Sequence, residues 1–330
     1  MKIAIIGAGL SGLVLAHQLK NRADVTLFEK SRSVGGRLAT RYADPYQFDH
    51  GAQFYLVKTD AFQNFLQPLI EQGIVENWCA DFVEITGTKI TGNRKWDESP
   101  AHYVSAPKMN ALGNHLAQGL NIKLQTQVQP IAPIENHWHL TDDKGESLGE
   151  FDWVISTAPA EQSAALLPES FAHYERVKNT KMQGCYALML GYKQPLVLPW
   201  QAALVKQADL SWVSVNSSKP KRDIGYSLQA LATNNWADEH MEDDVESVQA
   251  HMLAELAKVT GVAVDHADHI ALHRWRYANV KKQSGEPSLI DPKSQLGACG
   301  DWCIQGRVES AFTSAMHLAD TIKLSIKATA

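Results

Sequence analysis

Short apolar runs broken by glycine set the rhythm at the start of this chain. Lys2 to Ile6 reads as a buried strand and Gly7 to Gly12 interrupts it; apolar residues then recur at helical spacing from Leu10 to Lys20. "VTLFE" (Val25 to Glu29) returns as a second buried strand, so the opening has the size of one strand-helix-strand crossover. A loop rich in glycine and arginine follows, then a predicted helix from about Asp60 to Gln72. Alternating segments from Ile74 to Tyr103, broken by "TGTKITGN", predict antiparallel strands.

Pro107 suits the first turn of a helix running to about Gln118. "NIKLQTQV" and "FDWVIST" read as strands. Between about 160 and 270 the pattern is mixed, with a helix predicted from Met241 to Thr260, where Asp243, Asp244 and Glu246 suit the positive end of the helix dipole. A short strand into "GACGDW" and a final helix from about Val308 to Ile326 close the chain. The predicted class is α/β: a Rossmann-type dinucleotide domain (1–70, 104–160 and 270–330) with an inserted, largely antiparallel substrate domain (71–103 and 161–269).

Composition narrows the function classes. At 330 residues, 45% hydrophobic and 20% charged, the chain reads as a soluble globular protein, and its net charge of −5 argues against a general affinity for nucleic acid or acidic membranes. The Met1 end runs straight into a strand with no leader pattern, no apolar run is long enough for a membrane helix, and the cysteines form no disulfide framework; together these predict a cytoplasmic protein.

"GAGLSG" is a G-x-G-x-x-G pattern. Gly7 permits the tight turn, Gly9 lets backbone approach a pyrophosphate, and Gly12 allows close packing of helix on strand. Glu29 ends the next strand 20 residues after Gly9, the place of a ribose acceptor. "VGGR" then offers Gly36 and Arg37 as a second grip on the pyrophosphate, or a solvated basic loop with Arg32 and Arg41. The pair Cys299 and Cys303 in "GACGDWCIQGRVESAF" has C-x-x-x-C spacing and no further ligands at metal spacing, so neither a redox dithiol nor a metal site is predicted.

Taken with "FDHGAQFY", "NIKLQTQVQPI", "FDWVISTAP" and "GACGDW...GRVESAF", this pattern resembles the superfamily of flavin amine oxidases and phytoene desaturases. The segments "DHGAQF", "VKNTKMQGCYALML", "NSSKPKRD", "LHRWRYA" and "CGDWCIQGRVESA" are most similar to the renalase family, over nearly the whole chain. The resemblance implies FAD, held by Gly7, Gly9, Ser11, Gly12, Glu29, Lys30, Gly36, Arg37, Ala52, Gln53, Val128, Asp301, Arg307 and Val308. It implies hydride transfer from 2- or 6-dihydro isomers of NAD(P) to the flavin, with dioxygen as the acceptor and hydrogen peroxide as product.

Expected substrate contacts are Phe54, Tyr55, Lys58, Lys95, Cys185, Tyr186 and Gln305, with Arg94 a further phosphate candidate and Trp275 and Tyr277 as residues near the flavin. Catalysis is expected to centre on the flavin, assisted by Gln53, Arg307 or a lysine such as Lys181 that orders water. Arg307 stands where amine oxidases place an aromatic cage residue, two before Glu309, and a fixed cation there disfavours a cationic amine. The alternative is a flavin amine oxidase or desaturase acting on a small apolar substrate. An NAD-dependent dehydrogenase and a flavin-containing binding protein are more distant readings.

Overall fold

The computed structural model describes residues 1–97, 99–134, 137–222, 225–262 and 264–329. The chain divides into two compact units: Met1–Leu38, Leu112–Met182 and Asn279–Ala330 form the first, and Ala39–Ala111 with Gln183–Ala278 form the second.

The first unit is built on a six-stranded sheet in the order Leu289–Asp291, Leu296–Ala298, Trp153–Ser156, Lys2–Ile6, Asp24–Phe28, Asn121–Lys123. All neighbours run parallel except Leu289–Asp291, which is antiparallel. Strands of a sheet covered on both faces read as unbroken apolar runs, which is why Lys2–Ile6 and Trp153–Ser156 were legible as buried. The expected strand at "NIKLQTQV" stops at Lys123. Gln125 turns into the left-handed region (φ 52°), and the N–H groups of Gln125 and Thr126 donate to the carbonyls of Ser31 and Glu29 instead of extending a ladder. Helices Leu10–Leu19 and Val308–Thr329 pack together, and the Ser11 hydroxyl donates to the Ala311 carbonyl at 2.9 Å.

The second unit carries a seven-stranded sheet in the order His269–Asn279, Gln183–Tyr192, Tyr226–Ala232, Leu210–Val215, Ala202–Lys206, Asp81–Thr86, Lys89–Lys95. Pairing is mostly antiparallel, with one parallel pair between Ala202–Lys206 and Asp81–Thr86. One face buries Leu188, Leu190, Val213, Leu228 and Ala230 against Val248, Met252 and Leu256 of helix Val245–Thr260. That helix starts later than expected because the Asp244 carboxylate caps it, accepting from the Ser247 N–H at 3.0 Å. Gly261 (φ 69°) ends it in a left-handed cap.

The helix expected from Pro107 to Gln118 spans only Ala111–Leu116. The backbone before it is held by side chains: the Met109 N–H donates to the Asp49 carboxylate and the Asn110 N–H to the Thr40 hydroxyl.

Candidate functional site

In the first unit the glycine pattern makes an anion cradle by close packing on one side and openness on the other. A Cβ on Gly12 would lie 2.0 Å from the Gly7 carbonyl, so only glycine fits there, and Gly7 itself has φ 110°. A Cβ on Gly9 would meet no protein atom within 4 Å. Helix Leu10–Leu19 begins at Gly9 with no side-chain cap, which leaves its first N–H groups to an outside acceptor. Gly36 (φ 57°) approaches the Gly9 Cα, and the Gly35 N–H donates to the Ala8 carbonyl, so the "VGGR" turn closes over the same cradle.

Glu29 is fixed at the strand end by two backbone donors. Ala8 N–H reaches one carboxylate oxygen and Ser31 N–H the other, each at 2.8 Å. Each oxygen keeps a lone pair for a ribose hydroxyl. Arg37 and Asp301, 264 positions apart, form a two-pronged ion pair: Nη1 donates to Oδ2 at 2.9 Å and Nη2 to Oδ1. Asp301 is almost buried and Arg37 partly exposed.

Val128 is buried and bridges antiparallel to Asp142, while Lys30 is exposed and bonds Gln162. Gln305 and Val308 are half-buried, and Arg307 is exposed and accepts the Ala311 N–H on its carbonyl. Lys181 is also exposed, and its ammonium donates to the Lys178 carbonyl. Cys299 and Cys303 are buried free thiols; burial raises both, Cys303 to about 12. Neither is poised as a thiolate near neutral pH.

The second unit holds a buried polar cluster that pattern reading did not single out. Asp49 is 1% exposed and is gripped from every side. Oδ1 accepts from Thr40 Oγ1 (2.8 Å) and Met109 N–H (2.9 Å), and Oδ2 from Arg222 Nη2 (2.8 Å) and Lys219 Nζ (3.5 Å). Burial alone would push the Asp49 carboxyl up, but Lys219, Arg222 and the Met109 N–H hold it below the usual carboxylate range. Burial lowers the Lys219 ammonium to about 8 despite the opposing pull of Asp49, which still leaves it mostly charged at pH 7. Among the described residues, two buried cations face one carboxylate in this cluster, a net +1. Within the segment that supplies Lys219 and Arg222, Asp223 lies outside the described residues.

Gln53 is spent within this cluster. Its amide nitrogen donates to the carbonyls of Asp49 (2.7 Å) and Gly51 (3.0 Å), and its oxygen accepts from Ser214 Oγ (3.1 Å) and Lys219 Nζ (3.4 Å). Neighbouring Ala52 is half-buried. Phe54 packs on Trp96, His102 and Trp212, and Trp96 stacks on His102 with centroids 3.6 Å apart. At the other end His50 stacks on Trp275, whose Nε1 donates to the His50 carbonyl at 2.8 Å. Burial lowers His50 and His102 to about 4, so both imidazoles are neutral at pH 7.

The remaining expected contacts scatter. Tyr55 is buried and pairs with Ser105 and the Tyr103 backbone; Lys58 and Lys95 are exposed, and the exposed Arg94 lies over Phe82. Tyr186 belongs to the apolar core under helix Val245–Thr260, its hydroxyl bonded to the His240 carbonyl, whereas Cys185 lies on the opposite face of the sheet. Burial raises the Cys185 thiol to about 12.

Residues 88–323 match the family described as flavin containing amine oxidoreductase. The chain belongs to that family. FAD is its cofactor, and the family to which it belongs is one of flavin-dependent oxidoreductases. Residues 5–69 match the NAD(P)-binding Rossmann-like domain, in accord with the cradle around Gly9. The residues present fit FAD: an open glycine cradle, an uncapped helix start and a fixed carboxylate at Glu29.

The 4,4'-diapophytoene desaturase (4,4'-diaponeurosporene-forming) of Staphylococcus aureus strain Newman is 46% identical over 52 residues, 16% of this chain and 10% of that protein. The match thus spans about one tenth of that relative's length. Among solved structures, a candidate protoporphyrinogen oxidase from Exiguobacterium sp. 255-15 superposes with TM-score 0.78 at 14% identity, covering 98% of each chain. A triple mutant of putrescine oxidase gives 0.75 at 14% identity, also over 98% of each. An oxidoreductase from Methanosarcina mazei gives 0.72 at 15% identity, over 97% of this chain and 100% of that one. At such identities the likeness is one of fold. No helix among the described residues is long and apolar enough to cross a membrane.

Proposed function

We propose that this protein is an FAD-dependent oxidase of renalase type, which takes a hydride from 2- or 6-dihydro isomers of NAD(P) and passes the electrons to dioxygen. FAD when bound supplies a two-electron acceptor that dioxygen can reoxidise. The balance is simple: the dihydronicotinamide loses one hydride and leaves as NAD(P)+, and dioxygen gains two electrons, the transferred hydrogen and one solvent proton to leave as hydrogen peroxide.

The observation that carries this reading is the buried Asp49–Lys219–Arg222 cluster with its net +1 charge. A protonated amine bound at about 8 Å from that excess charge would be disfavoured by about 2 kcal/mol at an effective dielectric of about 20. A neutral dihydropyridine ring on an anionic dinucleotide incurs no such cost. The aromatic and neutral imidazole groups of Phe54, Trp96, His102 and Trp212 on the same unit suit a flat heteroaromatic ring. In the first unit, Gly7, Gly9, Gly12, Glu29 and Arg37 with Asp301 would hold the cofactor. The exposed Arg307 adds a further cation where amine oxidases carry an aromatic residue.

A second reading, a flavin amine oxidase or desaturase on a small apolar substrate, is favoured by the family match and by neighbours that include putrescine oxidase and a diapophytoene desaturase. Peroxide release separates the two. Aerobic mixing with a dihydronicotinamide isomer mixture should release peroxide in step with NAD(P)+ formation, whereas putrescine and other small amines should release none. The opposite pattern would replace the first reading by the second.

A further inference from the structure

Along strand Tyr226–Ala232, Leu228, Ala230 and Ala232 enter the apolar core beneath helix Val245–Thr260, so Gln229 projects from the other face of the sheet. Its side chain is fully buried, yet neither its amide oxygen nor its amide nitrogen has a hydrogen-bond partner among the described residues. The register places Met189 on one side of it and Ser214 on the other. Met189 offers it no donor, and the Ser214 hydroxyl is already committed to Gln53. This is an exception to a strong rule, because buried polar groups in folded proteins are nearly always paired.

Gln229 is not alone on this side. Trp96 Nε1 and Trp212 Nε1 are likewise buried and without a hydrogen-bond partner among the described residues, and their rings pack on Phe82 and Phe54 on the same face. The opposite face is apolar core. Unmatched donors and acceptors set among aromatic rings on one face of a sheet are the furnishing of a recognition surface for a polar heteroaromatic ring. A side-chain amide whose donor and acceptor are both unspent is complementary to one group above others: a primary carboxamide, which returns a donor and an acceptor in the same plane.

We propose that Gln229 is a specificity-determining residue that pairs through two hydrogen bonds with the carboxamide of the substrate's pyridine ring. This inference rests on the dihydronicotinamide reading for its substrate, but its chemistry is tested without turnover. The pairing is selective because Gln229 is sealed from water. A ligand that returns only one of the two bonds leaves the other half of the amide unsatisfied, as a methyl ketone in place of the carboxamide would. On the same face, Leu231, two residues along the strand, and Phe54 are only half-buried.

The test is calorimetric titration of the full-length, FAD-loaded protein with two neutral ligands, nicotinamide and 3-acetylpyridine, so that the charge of the Asp49–Lys219–Arg222 cluster weighs on both alike. 3-Acetylpyridine keeps the acceptor but lacks the N–H donor, and the wild-type protein should bind it several-fold more weakly than nicotinamide. Gln229→Leu should lose about tenfold in nicotinamide affinity and most of that discrimination, while keeping its FAD content. Equal binding of the two ligands by the wild type, retained discrimination in Gln229→Leu, or loss of FAD from that variant would each overturn the inference. Should Gln229→Leu not fold, the comparison of the two ligands on wild-type protein decides by itself. If dihydronicotinamide isomers leave the flavin oxidised, the functional reading fails, but the two titrations still decide the role of Gln229. If the isomers reduce the flavin and Gln229→Leu discriminates as before, the inference about Gln229 alone falls.

Discussion

Gly9 and Gly12 lie three residues apart, yet their surroundings differ in kind: one faces open space and the other the Gly7 carbonyl. Gly9→Ala, whose backbone is already extended, should leave stability within about 0.5 kcal/mol. It should nonetheless lose FAD, because the new methyl fills the cradle. Gly12→Ala should cost about 1–3 kcal/mol through overpacking. Denaturant unfolding of the apoproteins together with flavin content after gel filtration checks both halves; equal destabilisation by the two changes would contradict this account of the turn. Asp49→Asn is a sharper case, since it keeps the shape and leaves Lys219 and Arg222 buried without a counter-charge. A loss of about 3–5 kcal/mol in urea unfolding is expected. Glu29 and the glycines were legible in the sequence because their spacing is local. Lys219 was not, since its burial depends on Asp49, 170 positions away. Gln229 was equally silent, because an unmet hydrogen bond is visible only once strand register is known.

At the scale of elements, strand-helix-strand at the N-terminus and the closing helix followed from apolar periodicity. Element starts were less legible where side chains from elsewhere capture the backbone, as Asp49 and Thr40 do ahead of Ala111. The substrate contacts assigned by resemblance divided in the same way. Phe54 and Cys185 lie on the polar face of the large sheet, whereas Tyr186, one residue from Cys185, turns into the core because successive strand residues alternate. That polar face also sets a pH dependence. His50 and His102 remain neutral in the fold down to about 4, while the unfolded chain takes up protons from about 6.5. The unfolded state therefore binds more protons between those values. Stability present above pH 6.5 is lost as pH falls towards 4. Urea midpoints measured from pH 7.5 to 4.5 should fall over this window, and fall less for His50→Phe; an unchanged slope in that variant would rule out His50 as a contributor.

Across the whole chain, the two units divide the labour by chemistry. The first carries the dinucleotide cradle of the flavin containing amine oxidoreductase family. The second carries a net-positive buried cluster and a face of aromatic, neutral imidazole and amide groups. Membership in the family fixes the cofactor; we propose that the charge and hydrogen-bonding character of the second unit direct the choice of electron donor. The most direct test is anaerobic rapid mixing of the FAD-loaded protein with a mixture of 2- and 6-dihydronicotinamide dinucleotides, followed at the flavin absorption band. The account predicts rapid bleaching of that band, with putrescine leaving it unchanged over the same interval. A band that persists with the isomers and bleaches with an amine would contradict it.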